Sequence, residues 1–241
     1  MARSTSVGIL GLDTATDDVA VAVTIDGAVV AETTTNVRTG AHPRHASALL
    51  REVEAAVDAA GGWERIGLIC VGVGPGSFTG LRVGVATARA LAQGSAIPIA
   101  GVSSLDALAR AIGERHHGRH RLAVIDARRK EVFVALQGSA GGPVWAPSVT
   151  TPDALADRIA ALEAPPLAAG DGSVRFRSEL EATGAEVLPD SDPTHHISAR
   201  HICALGEGAT PARPEQIEPM YLRRPDAELW RERDPGSRPR S

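Results

Sequence analysis

The chain has 241 residues, of which 43% are hydrophobic and 22% charged, so it can bury a core without disulfides or metal staples. Its net charge of −4 argues against a protein that holds nucleic acid by itself, because such a protein needs a basic face. Lys130 is the only lysine, which excludes a P-loop, and Cys70 and Cys203 give neither zinc spacing nor a disulfide framework. No apolar run reaches the roughly 18 residues of a membrane span and no leader is recognisable, so we expect a cytoplasmic protein that does not bind membranes.

Apolar periodicity in the first half predicts a three-stranded start followed by alternating helices and strands. Alternation with period two indicates strands, with a hairpin turn at Asp26-Gly27, and apolar residues at helical spacing indicate two helices. In chain order the predicted elements are strands 7–13, 19–25 and 28–35, helix 42–60, strand 66–73, helix 79–93 and strand 97–102. The predicted order is βββαβα followed by a further strand.

The second half begins like the first. Residues 12–23 read L-D-T-A-T-D-D-V-A-V-A-V and residues 125–136 read I-D-A-R-R-K-E-V-F-V-A-L, so that Asp13 aligns with Asp126 and Asp18 with Glu131. A third strand at 143–149 and a helix that opens at Thr151-Pro152 follow, as in the first half. Any two hairpins can share a V-x-V pattern, but the matching acids and element order favour an internal duplication.

Two facing copies of βββαβα are the architecture of actin, Hsp70 ATPase domains and sugar kinases. We therefore predict a duplicated, actin-like α/β fold of the ribonuclease-H-like (ASKHA) class with two subdomains. The predicted parts are an N-terminal subdomain at 1–104, a smaller C-terminal subdomain at 105–224 and a disordered tail at 225–241. In that superfamily two hairpins hold nucleotide phosphates, which makes weak nucleotide-cleft candidates of Asp13, Thr14, Asp126, Gly170 and Gly172. An ordinary Asp-Gly turn explains the last two equally well.

The strongest local signal is the run G-V-G-P-G-S-F-T-G-L-R-V-G at residues 72–84, between a predicted strand and a predicted helix. Such a turn can present helix N-terminal N–H groups to an anion, or it can serve only close packing. Both interpretations stay open for the loop residues Gly74, Pro75, Gly76, Ser77 and Thr79. For the helical residues Gly80, Gly84 and Ala88, which form a ridge of small side chains, packing is favoured.

The loop also resembles the signature of a known family. G-P-G-S-F-T-G-L-R-x-G is similar to the TsaB (YeaZ) signature, and L-D-T-A-T at 12–16, I-D-A-R-x-x-E-V at 125–132 and E-P-x-Y-L-R at 218–223 stand in that family's order. The resemblance covers residues 7 to 224. It implies a subunit that supports the related, Gcp-like TsaD in transferring threonylcarbamoyl to N6 of an adenosine of tRNA, as a TsaD heterodimer that TsaE joins. It also implies tRNA contact only through the complex, and it leaves open whether the chain forms a homodimer or stays a monomer when TsaD is absent.

Catalytic groups of TsaD are missing at the matching positions. Its His-x-x-x-His metal pair aligns here with Ser103 and Ala107, and Asp106 alone is too few ligands for a metal. No glycine follows Asp13 or Asp126, although actin-fold kinases use such glycines to expose N–H groups to phosphate. We therefore expect no catalytic residue, no metal and no cofactor bound by this chain alone, with ATP or ADP binding left to the complex. The alternative is a free-standing actin-fold ATPase or kinase, whereas a metallopeptidase lacks ligands.

The predicted partner surface lies on two helices. On the first helix, Ala46, Leu49, Leu50, Val53 and Val57 are expected to pack on the sheet. The opposite flank of small residues and the ridge after the loop are expected to contact the partner, and these residues are Ala48, Ala55, Ala59, Gly80, Gly84 and Ala88. Ala55→Arg is accordingly expected to disrupt dimerisation, unless the alanines reflect helix propensity alone.

Other polar residues receive less specific interpretations. Arg128 and Glu131 flank the second hairpin turn and could pair across it, with a role that the sequence leaves open. Seven of the eight histidines are expected in solvated loops, since no carboxylate partners stand at fixed spacing. These histidines are His42, His45, His116, His117, His120, His195 and His196.

Overall fold

The computed structural model describes residues 7–37 and 45–223. His42 and the predicted disordered tail at 225–241 lie outside the described residues. No helix in the described part of the chain is both long enough and apolar enough to cross a bilayer.

The first half forms a five-stranded mixed sheet. Its elements in chain order are β1 (Gly8–Asp13), β2 (Asp18–Ile25), β3 (Ala28–Asn36), α1 (His45–Ala59), β4 (Ile66–Gly74), α2 (Phe78–Ser95), β5 (Ile99–Ser103) and α3 (Ser104–Arg115). The strand order is β3-β2-β1-β4-β5, with an antiparallel β1–β3 meander and with β4 and β5 parallel to β1. β1 is therefore the central strand, and its carboxyl end, Asp13, lies at the edge of the sheet where the crossover connections begin.

The second half repeats this plan with shorter helices. Its elements are β6 (Arg121–Arg128), β7 (Glu131–Gln137), β8 (Pro143–Thr150), α4 (Pro152–Ala160), β9 (Leu167–Ala169), α5 (Asp171–Arg175), α6 (Arg177–Ala182), β10 (Glu186–Val187) and α7 (Ala199–Gly206). The strand order β8-β7-β6-β9-β10 has the same connections and directions as the first sheet. The predicted duplication and the two-subdomain, actin-like α/β fold are thereby confirmed.

The helices cover the first sheet on both faces. Leu10 and Leu12 of β1 pack in one cluster with side chains of α1 and α2. Gly11, which alternates with them, faces α7, where an added Cβ would lie 2.6 Å from Cys203 Sγ. α7 thus returns from the end of the chain to the first sheet and contacts α3 as well. The predicted boundary between the subdomains at residue 104 stays a prediction.

Two expectations about the helix faces are wrong. Ala48 is buried in the core, whereas Ala46 and Leu50 are exposed, so the apolar stripe of α1 is rotated from the predicted one. Leu49, Val53 and Val57 pack in the core as expected, and Ala55 and Ala59 are exposed.

The small ridge of α2 is covered by this chain rather than left open for a partner. A Cβ on Gly80 would lie 2.1 Å from Thr14 O, and one on Gly84 would lie 2.2 Å from Thr14 Oγ1. Ala88 is buried in the same core as Leu10. The absence of side chains at Gly80 and Gly84 therefore lets α2 lie directly on the end of β1.

Two glycines of α2 provide a matched test of this packing. Gly80→Ala should lower the free energy of unfolding by about 2 kcal/mol, because the backbone oxygen of Thr14 occupies the space that the methyl group needs. Gly94→Ala meets no atom within 4 Å and should raise stability by about 0.5–1 kcal/mol through helix propensity. Urea denaturation of both variants measures the difference, and equal effects would contradict the packing described here.

Candidate functional site

The candidate site is the region where the β1–β2 and β6–β7 turns of the two subdomains meet. Arg128 of the second turn donates to both carboxylate oxygens of Asp17 in the first turn, at 3.0 and 2.9 Å. These turns carry the predicted candidates Asp13, Thr14 and Asp126. The structure therefore brings the two hairpins together, as the duplication predicts.

Asp13 is 2% exposed and is bonded within the first subdomain. One oxygen of its carboxyl group accepts from Ala15 N at 2.7 Å, and the other accepts from Ser104 Oγ at 2.6 Å. Ser104 Oγ in turn accepts from Gly74 N at 3.2 Å. Burial raises the pKa of Asp13 to about 6, against the smaller opposing effect of these hydrogen bonds. Asp13 therefore holds β1, β4 and α3 together.

Thr14 is fully buried and is also committed to the fold. Its hydroxyl donates to Gly80 O at 2.8 Å. Ser77 N donates to Ala15 O at 2.7 Å, and a Cβ on Gly76 would lie 2.3 Å from the same oxygen. The glycine-rich loop therefore packs on the first turn and closes over it.

Within the signature loop, Ser77 is the N-cap of α2 and accepts from Gly80 N at 3.4 Å. Gly74 has a φ of 103°, a conformation that favours glycine. Pro75 is buried, and Thr79 is exposed on the first turn of the helix. The loop residues thus serve the packing, and a role of Thr79 in binding stays a prediction.

The second turn is held by ion pairs. Asp126 pairs with Arg128 at 3.2 Å and with Arg175 at 2.5 Å, and its N–H donates to Asp171 at 3.0 Å. Burial raises the pKa of Asp171 to about 6, because the carboxylate loses water there. These four groups, Asp126, Arg128, Arg175 and Asp171, therefore each already have a partner of opposite charge or a hydrogen-bond donor inside the chain.

Arg128 and Glu131 do not pair across the second turn. Arg128 bonds to Asp17 and Asp126, whereas Glu131 forms an ion pair with Arg223. Arg129 and Lys130 have φ angles of 53° and 61°, as the two central residues of a type I′ hairpin turn do. Arg128, with a φ of 62°, follows an irregularity in the β6–β7 pairing between Asp126 and Arg128, and such a bulge re-aims the side chain next to it.

Gly170 and Gly172, at the start of α5, are explained by close packing. A Cβ on Gly170 would lie 2.0 Å from Val124 O, and one on Gly172 would lie 2.8 Å from Ile125 C. Both glycines let α5 lie against β6, so the structural interpretation accounts for them. Their nucleotide-binding role stays a prediction.

The solvated-loop interpretation is wrong for His45 and His195, which are buried, whereas His196 is exposed but has a carboxylate partner. His195 is buried, with Nδ1 3.2 Å from Gly170 N and Nε2 3.0 Å from Pro189 O. His45 is buried as well. His196 Nδ1 lies 2.6 Å from Asp18 Oδ2, and this hydrogen bond raises the pKa of His196. The carboxylate partner comes from the other end of the chain, so local spacing gives no signal for it.

A segment that sequence reasoning left without a role, residues 217–223, joins the two subdomains. Met220 N donates to Val73 O at 2.7 Å, and the Tyr221 ring packs on Phe78 with 5.0 Å between centroids. At its end Arg223 donates to Ala127 O at 3.1 Å. The E-P-x-Y-L-R motif is its sequence signal, and we name these residues the C-terminal strap.

The positions that match a metal pair in TsaD have structural roles here. Ser103 caps α3 by accepting from Asp106 N at 3.2 Å, and Ala107 is fully buried. Across residues 7–37 and 45–223, no three His, Cys, Asp or Glu side chains lie together as metal ligands would.

Comparison with known proteins establishes the family. Over 227 residues the chain is 32% identical to the tRNA threonylcarbamoyladenosine biosynthesis protein TsaB of Escherichia coli (strain K12), covering 89% of this chain and 94% of that protein. The chain belongs to the TsaB family. The protein of the same name from Bacillus subtilis (strain 168) is 30% identical over 230 residues, covering 91% of this chain and 96% of that protein.

Two further comparisons agree with this family. The solved structure of YeaZ from Pseudomonas aeruginosa has a TM-score of 0.73 and 25% identity, and the match covers 90% of this chain and 100% of that one. A family model described as TsaD: tRNA N6-adenosine threonylcarbamoyltransferase matches residues 28–142, the span from β3 through β7. The resemblance stated from the motifs is therefore confirmed.

The buried carboxyl group of Asp13 predicts a pH dependence of stability. Its pKa is about 6 in the fold, above the ordinary value of 3.8, so the folded state binds the proton more tightly and this contribution favours folding at low pH. The stabilisation that the bound proton contributes is lost as the pH rises from about 4 to about 6. A pKa difference of about two units corresponds to about 3 kcal/mol in the free energy of unfolding.

The measurement compares wild type with Asp13→Asn by urea denaturation between pH 4 and pH 7. Subtracting the variant removes other titrations, such as that of His201, whose pKa burial lowers to about 4 and which acts in the opposite direction. The stability of wild type relative to the variant should fall by about 2–3 kcal/mol as the pH rises. A difference that stays constant would contradict the burial of a titrating Asp13.

Proposed function

We propose that the chain is a non-catalytic subunit that supports a TsaD-type partner in forming threonylcarbamoyladenosine on tRNA. The names of its relatives in Escherichia coli and Bacillus subtilis support the pathway. The main support for a non-catalytic role is that the charged groups at the two turns pair with one another. Asp17 pairs with Arg128, and Asp126 pairs with Arg175. A phosphate or a metal ion would have to displace these internal partners.

The same pairing weakens the alternative of a free-standing ATPase or kinase. Such an enzyme needs N–H groups and cations that are open to phosphate. Here Arg128 has carboxylate partners, and Asp13 is buried beneath the glycine-rich loop. ATP or ADP is accordingly proposed to bind in the assembled complex and not to this chain alone.

The partner surface is proposed on the outer face of α1 and α2. Leu50 is 51% exposed and Trp63 is 37% exposed, and both line a groove of about 340 Å³ between the helices. The residues that line the groove are Leu50, Val53, Glu54, Asp58, Trp63 and Leu91. An exposed leucine beside an exposed tryptophan is typical of the anchors of a protein interface.

A ridge of small residues on α2 continues this face. Ala86, Ala90 and Gly94 recur every four residues and are all exposed. They replace the predicted ridge of Gly80, Gly84 and Ala88, which this chain covers itself. Small side chains let a partner helix approach closely, and the groove beside them supplies apolar area.

A TsaD-type protein fits this face because its family model matches the part of this chain that contains α1 and α2. Two chains that share these helices can meet through the same surface about a pseudo-two-fold axis. A homodimer through this face is the corresponding proposal when the partner is absent. TsaE is proposed to join the pair, and tRNA to bind to the complex and only weakly to the isolated chain.

The absence of catalysis has a direct test. The purified chain, incubated with ATP and Mg²⁺, should release no phosphate above the buffer control, and it should cleave no peptide and modify no tRNA. ATP turnover that disappears in Asp13→Asn would establish the ATPase alternative instead.

Two alanine-to-arginine substitutions locate the interface. Ala90→Arg places a charged side chain on the exposed face of α2 and should weaken heterodimer formation roughly tenfold or more, because the charge would be buried against the partner. Ala55→Arg adds the same side chain at the other edge of α1, the flank predicted from sequence. Size-exclusion chromatography with the TsaD-type partner, with circular dichroism as the folding control, compares them. Loss of the complex in Ala55→Arg alone would move the interface to that flank.

A further inference from the structure

A short loop between α3 and β6 concentrates positive charge in an otherwise acidic chain. Residues 115–121 read R-H-H-G-R-H-R, so that every residue except Gly118 is arginine or histidine. We name these residues the basic loop. The net charge of the whole chain is −4.

The basic loop is held in a defined conformation. At its start, His116 N donates to Ile112 O at 2.8 Å and closes the last turn of α3. Arg119 pairs with Glu186 at 2.8 Å, and His120 O accepts from Leu167 N at 2.8 Å. These contacts attach the loop to the second sheet without using every cation. Arg115 and His117 are exposed, and neither side chain has a hydrogen bond to the part of the chain that the structure describes.

Neighbouring residues extend the positive surface. Arg110 and Arg200 lie beside His201, and Arg121 donates to Ser139 O at 3.4 Å. Carboxylates recorded next to these cations in the described residues include Glu114, Glu186, Asp192 and Glu32. The arginines here are Arg110, Arg115, Arg119, Arg121 and Arg200, so they outnumber these carboxylates before any histidine is protonated. The same histidines do not converge with other ligands on a metal position in the described residues.

The loop also lies away from the proposed partner surface. α1 and α2 pack with Leu10 and Leu12 on one face of the first sheet, and α7 lies on the opposite face of that sheet. α3 contacts α7 and the second sheet. β6 separates the basic loop from the second turn by eight residues, roughly 25 Å of extended chain. A partner seated on α1 and α2 would therefore leave the basic loop open to solvent.

We propose that the basic loop binds the phosphodiester backbone of RNA when the chain is assembled with its TsaD-type partner. This inference rests on the proposed function, in which the complex acts on tRNA. Arginine guanidinium groups match phosphate oxygens in a bidentate geometry, and a preformed loop loses little conformational entropy on binding. One loop supplies only a few phosphate contacts, so it would hold RNA weakly alone and contribute measurably within a larger complex.

The test uses the double variant Arg115→Gln/His117→Gln in the assembled complex. Arg213→Gln is the matched control, since it also removes one arginine and its side chain is 74% exposed beside the first sheet. Binding of an unmodified tRNA transcript is measured from 50 to 200 mM salt. The double variant should bind roughly fivefold more weakly at the low-salt end, and its plot of log affinity against log salt should be shallower by about 1. The control should match the wild type.

Size-exclusion chromatography of each complex comes first and separates the two proposals. A wild-type chain that forms no complex would overturn the proposed function and, with it, this inference. A complex of normal size whose tRNA affinity and salt dependence are unchanged in the double variant would overturn the inference alone. Loss of the complex in the double variant would show that the basic loop contacts the protein partner and not RNA.

Discussion

The hydrogen bonds of the Asp13 carboxyl group are the interaction on which the arrangement of the first subdomain depends. They connect the end of β1 to the start of α3 through Ser104, and Ser104 connects both to Gly74 at the end of β4. A side chain at Gly72 would collide with this carboxyl group, since a Cβ there would lie 1.8 Å from Asp13 Oδ2. Asp13 therefore fixes the positions of three elements of the first subdomain.

Contacts between the subdomains likewise depend on hydrogen bonds from a few residues. Arg128 links the two turns, and the C-terminal strap runs from β4 to the end of β6. The three consecutive residues with positive φ that position Arg128 cost about 1 kcal/mol each in a left-handed conformation. Bonds from Arg128 to Asp17 and Asp126 offset part of this cost, so the conformation of the turn and the contact between subdomains depend on each other.

Much of the fold could be predicted because strand alternation and turn residues are local signals. The strands of both hairpins and the helix that begins after Thr151 lie where their patterns indicate. The orientation of α1 could not be predicted in the same way. Ala46 and Ala48 have equal hydrophobicity, and only packing decides that one is exposed and the other buried. Hydrophobicity alone predicts Leu50 in the core, so its exposure is informative.

The candidate site was predictable in its location but not in its bonding. Asp13 and Asp126 stand at equivalent positions of an internal repeat, which places them near the carboxyl ends of β1 and β6, where the two turns meet. Their partners Ser104 and Arg175, like Asp18 as the partner of His196, come from distant parts of the chain. Spacing along the sequence carries no information about such pairs, so buried and bonded histidines could not be distinguished from solvated ones.

The burial of Ala107 limits how far this scaffold could be redesigned. Restoring a two-histidine pair at Ser103 and Ala107 would require an imidazole in a position that is 0% exposed, on a helix enclosed between two sheets. Overpacking of that size costs about 1–3 kcal/mol, before the ring nitrogens are given partners. Replacing Ser103 would also remove the cap of α3, the helix that carries Ser104. An engineered metal centre would therefore need a repacked α3 rather than two substitutions.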